Sequence, residues 1–170
     1  GYEDTTVEEI IELSGTSKGS FYHYFDGKDA LLSTLSSLFD EKYEELTGLL
    51  TPEMTAMEQL LFLNRELFHM IEDSISLDLL ARLYSTQLTT NGEKHLLDHN
   101  RIYYKLLRKI IAKGQAEGQL SSRYNVNEMV KLYALCERAL LYDWCLCAGE
   151  YALTEYSAKV LPGFLSSFLP

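Results

Sequence analysis

The feature that most constrains this chain is the spacing of its apolar residues, which recur every three or four positions through long stretches of the sequence. This spacing is typical of helices that pack on one another, and the alternation that half-buried strands show is nowhere sustained. Prolines occur only at positions 52, 162 and 170, so long uninterrupted helices are allowed. The sequence therefore predicts an all-α fold.

Turn signals divide the chain into about eight helices. Two short helices, which start near Thr5 and Ser17, flank the turn at residues 14–16, and such a pair is a helix-turn-helix candidate. A third, longer helix follows Asp26. From Pro52 onward the predicted helices are longer, and they span residues 53–72, 75–89, 92–117, 125–148 and 153–168.

Composition predicts an ordinary globular protein of a reducing compartment. At 170 residues, with 46% apolar and 24% charged residues, the chain can bury a core without disulfides or metal. The cysteines at 136, 145 and 147 are odd in number and close in sequence, which favours the cytoplasm. The apolar segment 132–148 is too short and too charged for a membrane span, and the first residues do not resemble a secretion signal.

The last two predicted helices carry more apolar surface than one chain end can hide. Residues 132–148 are apolar nearly all the way round, so that helix must be covered on more than one side. We expect a two-fold homodimer through these helices, and we expect Pro162 to kink or divide the second of them. The residues expected at the interface are Leu140, Leu141, Val160, Leu161, Phe164 and Phe168.

The most specific string of the sequence lies in its first 32 residues. Small polar residues and one cation, at positions 17–20, stand at the N-terminal end of the second short helix, where a helix in the major groove meets bases and phosphates. The charge of this region argues the other way: residues 1–50 hold 3 Lys/Arg and 11 Asp/Glu, in a chain of net charge −10.

The string resembles the DNA-binding domain of the tetracycline-repressor (TetR) family of transcriptional regulators. The residues that carry the resemblance are Gly1-Tyr2, Thr5-Thr6-Val7, Ser17-Lys18-Gly19-Ser20-Phe21-Tyr22-His23-Tyr24-Phe25 and Lys28 to Leu32. The resemblance implies a DNA-binding domain over residues 1–47 and a larger helical domain, residues 48–170, for effector binding and dimerisation. It implies DNA contacts at Thr6, Thr16, Ser17, Lys18, Gly19, Ser20, Tyr22, His23, Tyr24 and Lys28.

The sequence departs from the family pattern in two places. The family has one more helix before the position of Gly1, and without most of that helix we expect this chain to bind DNA poorly. Thr16 stands where the family prefers Val, which weakens one core contact of the turn.

The resemblance implies a dimeric, ligand-responsive repressor that binds a palindromic double-stranded DNA operator and is released by a small-molecule effector. It implies no cofactor and no catalysis. The sequence agrees, because it contains no nucleophile, base and orienting group at a spacing typical of an enzyme. The alternative is a helical dimeric effector-binding adaptor that does not bind DNA, which the acidic first 50 residues favour.

We expect the larger domain to bind an apolar or aromatic effector. The acidic composition of the chain would favour a cationic one. Glu137, Arg138 and Asp143 are the only charges in the apolar helix, so each reaches solvent, forms a pair or points into a cavity. The candidate pocket residues are Phe62, Tyr103, Glu137, Asp143 and Trp144.

Two other groups of residues, the histidines at 95 and 99 and the three cysteines, have both a functional and a structural interpretation. His95 and His99 have i, i+4 spacing for a metal, but no third ligand is evident, so we expect a helical surface, either solvated or at the rim of a pocket, and no metal. The three cysteines are expected to be small packed side chains, with a redox sensor as the alternative.

Overall fold

The computed structural model describes residues 28–89 and 94–170, and the all-α prediction is confirmed there, since these residues contain no strand. They form six α-helices and two short 3-10 turns, at His95–Leu97 and Ser166–Phe168. The α-helices are α1 Lys28–Thr47, α2 Ala56–Ser74, α3 Leu77–Thr89, α4 Ile102–Ala116, α5 Val126–Leu146 and α6 Leu153–Leu165. None of the described helices is long and apolar enough to cross a membrane.

Local sequence sets the start of two of the long helices. Thr55 and Glu58 form a capping box before α2, in which the Thr55 hydroxyl accepts from the Glu58 amide and the Glu58 carboxylate accepts from the Thr55 amide. Asn125 and Glu128 do the same before α5. Each box satisfies two backbone donors that the first turn of a helix leaves free.

The helices pack around one apolar core. Helices α2 and α6 lie against each other, α4 packs on α2 and α5, α1 packs on α2 and α4, and α3 packs on α5. Fully buried side chains come from all six helices and from the last 3-10 turn. They include Tyr104, Tyr133, Phe68, Phe168, Leu35, Leu46, Leu60 and Leu83.

The predicted helix over 92–117 begins later than expected, at Ile102. Before it, the Asp98 carboxylate accepts from the Asn100 amide at 2.9 Å, a local bond that competes with helix formation. Arg101 then takes an extended conformation as the N-cap, and its guanidinium binds both carboxylate oxygens of Asp40 on α1. The break therefore depends on a contact with a distant part of the chain.

Pro162 was expected to kink or divide the last helix, and it does not divide it. Helix α6 continues through Pro162 to Leu165, and the 3-10 turn follows it. Pro162 deprives only the carbonyl of Ala158 of its helical partner, and Ala158 is exposed, so that water can bind this carbonyl instead. The Ser166 amide donates to the carbonyl of Pro162 and closes the last turn.

Candidate functional site

A hydrogen-bonded cluster of polar side chains lies in the middle of the core, around Glu137 on α5. Glu137 is only 4% exposed. Its carboxylate accepts from the Asn64 amide of α2 at 2.7 Å and from the Tyr103 hydroxyl of α4 at 2.7 Å. The Asn64 carbonyl oxygen in turn accepts from the Ser157 hydroxyl of α6 at 2.6 Å. Four helices therefore meet through one polar network.

Burial controls the protonation of Glu137. Removal of this carboxyl group from water raises its pKa to about 7, although the hydrogen bonds from Asn64 and Tyr103 and the charge of Arg138 act in the opposite direction. Near neutral pH the group is therefore divided between its carboxylic acid and carboxylate forms. Buried acids with a shifted pKa of this kind are found most often at functional sites.

Tyr43 on α1 stands next to this cluster with an unsatisfied hydroxyl. The side chain is 2% exposed, and its hydroxyl has no hydrogen-bond partner among the residues that the structure describes. Its ring lies 4.9 Å from the ring of Tyr103, centroid to centroid. Buried hydroxyls without a partner are rare because desolvation costs them about 1–3 kcal/mol. The orphan Tyr43 hydroxyl is therefore free, among the described residues, to bond a polar group that enters this part of the core.

Tyr43, Tyr103 and Glu137 line one small cavity, which we call the inner cavity. Its volume is about 50 Å³, room for a few water-sized groups but less than the roughly 300 Å³ that a whole drug-sized ligand needs. Apolar side chains of α2 form one wall, and Arg101 and Arg138 contribute cations to its lining. The inner cavity can hold the polar end of a ligand.

Helix α1 supplies a second wall of the inner cavity, through Phe39 and Tyr43. Between these residues Asp40 binds the guanidinium of Arg101 through three hydrogen bonds of 3.0–3.2 Å. This bidentate pair fastens α1 to the N-terminus of α4. A ligand that moved Tyr43 would therefore act on α1.

Only two of the five predicted pocket residues line the inner cavity. Tyr103 and Glu137 meet at the inner cavity, as described. Phe62 lines a separate groove of about 510 Å³ between α2 and α6. Asp143 is exposed and accepts from the Tyr151 hydroxyl at 2.9 Å, whereas the buried Trp144 donates to the carbonyl of Tyr151. Phe62, Asp143 and Trp144 are therefore not part of the inner cavity.

The predicted interface residues also fall into two groups. Leu140, Leu141, Leu161 and Phe168 are between 0% and 6% exposed within the single chain, so little of their surface remains for a partner. Val160 is partly buried, and Phe164 is 36% exposed. Only these last two present their side chains outward, on the same face of α6 as Tyr156.

The two histidines do not share a helix face. His95 begins a 3-10 turn, and His99 lies in the loop before α4 with its ring stacked on Tyr104 at a centroid distance of 4.4 Å. The expectation of a helical surface is wrong at this point, because the chain turns at Asp98. Among residues 28–89 and 94–170, no cluster of three or more His, Cys, Asp or Glu side chains could hold a metal ion.

The three cysteines are free thiols with raised pKa values. Burial raises the pKa of Cys136 to about 11 and also raises that of Cys145. Desolvation and the charges of Asp143 and Glu150 raise the pKa of Cys147. Reactive thiols need a lowered pKa, so these cysteines have the character of packing residues.

The predicted DNA contacts lie almost wholly outside the described residues. This applies to Thr6, Thr16, Ser17, Lys18, Gly19, Ser20, Tyr22, His23 and Tyr24. Lys28 is the first residue of α1.

Comparisons with known proteins bear on this N-terminal segment. The family model for bacterial regulatory proteins of the tetR family matches residues 1–35. The uncharacterized HTH-type transcriptional regulator YuxN of Bacillus subtilis is 40% identical over 52 residues, which cover 30% of this chain and 18% of YuxN. The uncharacterized HTH-type transcriptional regulator YvdT of the same organism is 25% identical over 126 residues, or 74% of this chain and 64% of YvdT. Residues 1–35 are therefore similar to the N-terminal segment of tetR-family regulators.

These matches confirm the resemblance to the tetR family seen in residues 1–32, and both curated relatives are named as transcriptional regulators, a class that is not enzymatic. The chain spans less than two thirds of the length of either curated relative. What a whole protein of this kind binds is therefore a matter for proposal.

Two solved structures share the fold. The transcriptional regulator FadR from Bacillus subtilis, solved in complex with stearoyl-CoA, has a TM-score of 0.76 at 22% identity over 99% of this chain and 91% of that one. FadR from Bacillus halodurans has a TM-score of 0.76 at 20% identity over 97% of this chain and 86% of that one. At these identities the likeness shows a shared helical fold alone.

The sequence interpretation missed Tyr43 and Asn64. Asn64 had a visible signal, because it is the one amide on a helical stripe that also contains Leu60, Leu63 and Leu67. Tyr43 had none, since an inward tyrosine four residues after Phe39 is typical of any amphipathic helix.

Proposed function

We propose that this chain is an effector-responsive transcriptional repressor of the tetR family, which binds a palindromic operator as a dimer and leaves it when a small molecule occupies the larger domain. The observation that carries the proposal is the course of α1. Its first residues, 28–35, belong to the segment that matches the DNA-binding family, and its later residues Phe39 and Tyr43 form a wall of the inner cavity. One helix therefore joins the two functions.

The distance along this helix is short enough for direct mechanical coupling. Lys28 and Tyr43 are separated by about 22 Å at the helical rise of 1.5 Å per residue. An effector that bonds the Tyr43 hydroxyl favours one position of α1, and hence one spacing of the two DNA-reading helices in a dimer. The loss of operator affinity equals the difference in effector affinity between the two conformations.

Support for a ligand in this domain comes from the orphan Tyr43 hydroxyl and from FadR of Bacillus subtilis, which was solved with stearoyl-CoA. The proposed DNA contacts are those of the family motif, with Ser17 to Tyr24 in the major groove and Lys28 on a phosphate. A repressor of this kind acts in the cytoplasm, where bacterial DNA lies.

DNA binding is tested with the full-length protein and sheared genomic DNA, from which bound duplexes are selected at low and high salt. We expect one palindromic sequence, lost as salt rises. Lys28→Ala is expected to weaken all duplexes about equally and to lower the salt slope by about 1. Lys42→Ala removes the same charge from the same helix, where it pairs with Glu45 at 3.0 Å, and should leave the slope unchanged. Recovery of no duplex would favour the adaptor.

The dimer is proposed to form through the outer face of α6, which carries Tyr156, Val160 and Phe164. Tyr156 and Phe164 are 43% and 36% exposed, a considerable apolar area for one short helix. Phe164→Asp is expected to prevent dimerisation, because burial of the new carboxylate in the interface would remove its hydrating water at a high cost. Sedimentation equilibrium should then give half the mass of the wild-type dimer. Ala158→Asp places the same charge on the opposite side of α6 and should leave the mass unchanged. An intact dimer in Phe164→Asp would move the interface elsewhere.

A further inference from the structure

A large open groove adjoins the inner cavity, and we call it the outer groove. It lies between the end of α3, the 3-10 turn His95–Leu97 and the outward side of α5, and its volume is about 570 Å³. Four large apolar side chains line it and remain between 48% and 72% exposed, namely Leu88, Leu97, Leu135 and Tyr142. The outer groove has the size and lining of a small-molecule site.

Its charges have one sign. The ionisable cations lining the groove are Lys94 and Arg138, and no Asp or Glu is among the described residues that line it, in a chain of net charge −10. Lys94 is already engaged, since its ammonium donates to the carbonyls of Gln87 at 2.6 Å and Leu88 at 3.4 Å. Those bonds cap the C-terminus of α3.

Arg138 has donors to spare. Within the described part of the chain, its guanidinium makes one long hydrogen bond of 3.3 Å, to the Tyr104 hydroxyl, and no ion pair with a carboxylate. A guanidinium carries five N–H donors arranged to bind a carboxylate or phosphate through two of them. Arg138 is thus an incompletely used anion-binding group at the edge of an apolar groove.

The outer groove and the inner cavity are neighbours, because Tyr84, Leu96 and Arg138 line both of them. The orphan Tyr43 hydroxyl lines the inner cavity beyond these three residues. The larger space can hold the body of a ligand, while Arg138 stands where the two spaces meet. A polar group held by Arg138 would therefore sit between the outer groove and the inner cavity.

We propose that the outer groove binds an amphipathic anion, with the apolar body of the ligand on Leu88, Leu135 and Tyr142 and its carboxylate or phosphate head on Arg138. This deepens the proposed function, on which it rests, by naming the chemical class of the effector. It replaces the sequence-based expectation of a cationic ligand, because the charges at the groove are positive. The neighbouring carboxyl group of Glu137 is committed to Asn64 and Tyr103 and does not neutralise Arg138 by contact.

The test compares four probes with one twelve-carbon chain and different heads: dodecanoate, dodecyl phosphate, dodecanol and dodecyltrimethylammonium. Binding to the protein is measured by titration calorimetry, below the micellar concentration of the charged probes and below the solubility limit of dodecanol. We expect at least one of the two anions to bind about tenfold more tightly than dodecanol, since charge-assisted hydrogen bonds exceed neutral ones. The cation is expected to bind most weakly. The preferred anion tells a carboxylate effector from a phosphate one.

Variants separate the head from the body. Arg138→Gln is expected to remove the preference for anions and to leave dodecanol binding unchanged. Lys131→Gln removes a cation from an exposed position two turns earlier on α5 and should preserve the preference. Leu135→Asp is expected to weaken every probe. Equal affinities for all four heads, or an anion preference that survives Arg138→Gln, would overturn the proposal.

Two further results distinguish this inference from the proposed function. If no probe binds and Leu135→Asp halves the mass of the dimer, a second copy covers the groove and the inference fails, whereas operator binding still stands. If the anions bind but no genomic duplex is selected, the anion site stands and the assignment as a DNA-binding repressor fails.

Discussion

Replacement of Asn64 by aspartate is expected to lower the free energy of unfolding by about 3–5 kcal/mol at pH 8. The Asn64 amide donates to the Glu137 carboxylate at 2.7 Å, and both side chains are nearly inaccessible, at 3% and 4% exposure. Asn64→Asp turns this donor into a second acid, so two buried carboxylates would face each other without a cation between them. Urea unfolding followed by circular dichroism measures the loss.

A second substitution in the same protein should reverse most of this loss. In the double variant Asn64→Asp with Glu137→Gln, the amide at position 137 donates to the carboxylate at position 64, and the Ser157 hydroxyl still donates to that carboxylate. We expect at least half of the lost stability to return. Asn127→Asp is the matched control, since Asn127 is exposed in the first turn of α5, where a negative charge is tolerated. Equal stability of Asn64→Asp and the control would contradict the buried bond.

Titration of Glu137 makes the stability of the fold depend on pH, and the raised pKa sets the direction of that dependence. The folded-state pKa of Glu137 is about 7, above its ordinary value of 4.5, so the folded protein holds this proton more tightly than the unfolded chain. The stabilisation is complete below pH 4.5 and is lost as pH rises through 7, an effect of about 3 kcal/mol. Glu137→Gln cannot lose this proton, so the difference between wild type and Glu137→Gln should grow between pH 5 and 8 in the same unfolding experiments.

The sequence predicts the start of a helix well where neighbouring residues determine it, and poorly where a distant residue does. The starts of α2 and α5 lie within three residues of the predicted ones, because capping by Thr55 and Asn125 is written in adjacent residues. The start of α4 was placed ten residues too early, because the extended conformation of Arg101 is held by Asp40, a residue of α1. Contacts between distant residues have no signal in a periodic pattern.

The same distinction applies to the candidate site. Glu137 was predicted because a carboxylate in an apolar helix is conspicuous in any sequence. The sequence does not show which faces of α5 and α6 pack inside the chain and which face a partner. A helix that is apolar all round shows only that most of its surface must be buried. Leu141 and Leu161 were accordingly assigned to a partner, although the chain's own core covers them.

The close approach of α2 and α4 gives the last prediction, and it concerns Gly114. A Cβ atom at Gly114 would stand 2.5 Å from the Cβ of Ala56 and 2.8 Å from the Leu120 side chain. The Cβ of Ala56 is fixed to the backbone of α2, so the two helices would have to separate. We expect Gly114→Ala to lower the free energy of unfolding by about 2 kcal/mol, since overpacking exceeds the gain of about 1 kcal/mol that alanine brings to a helix.

Two matched variants show whether the contact itself is the cause. Gly163→Ala lies in α6, where a Cβ would meet nothing within 4 Å, so it should raise stability by about 0.5–1 kcal/mol. Ala56→Gly combined with Gly114→Ala moves the methyl group from α2 to α4 and should recover part of the loss. A loss of equal size in both glycine variants would point to the helix backbone instead. Because α2 carries Asn64 and α4 carries Tyr103, the spacing held by Gly114 also sets the distance between the two groups that donate to Glu137.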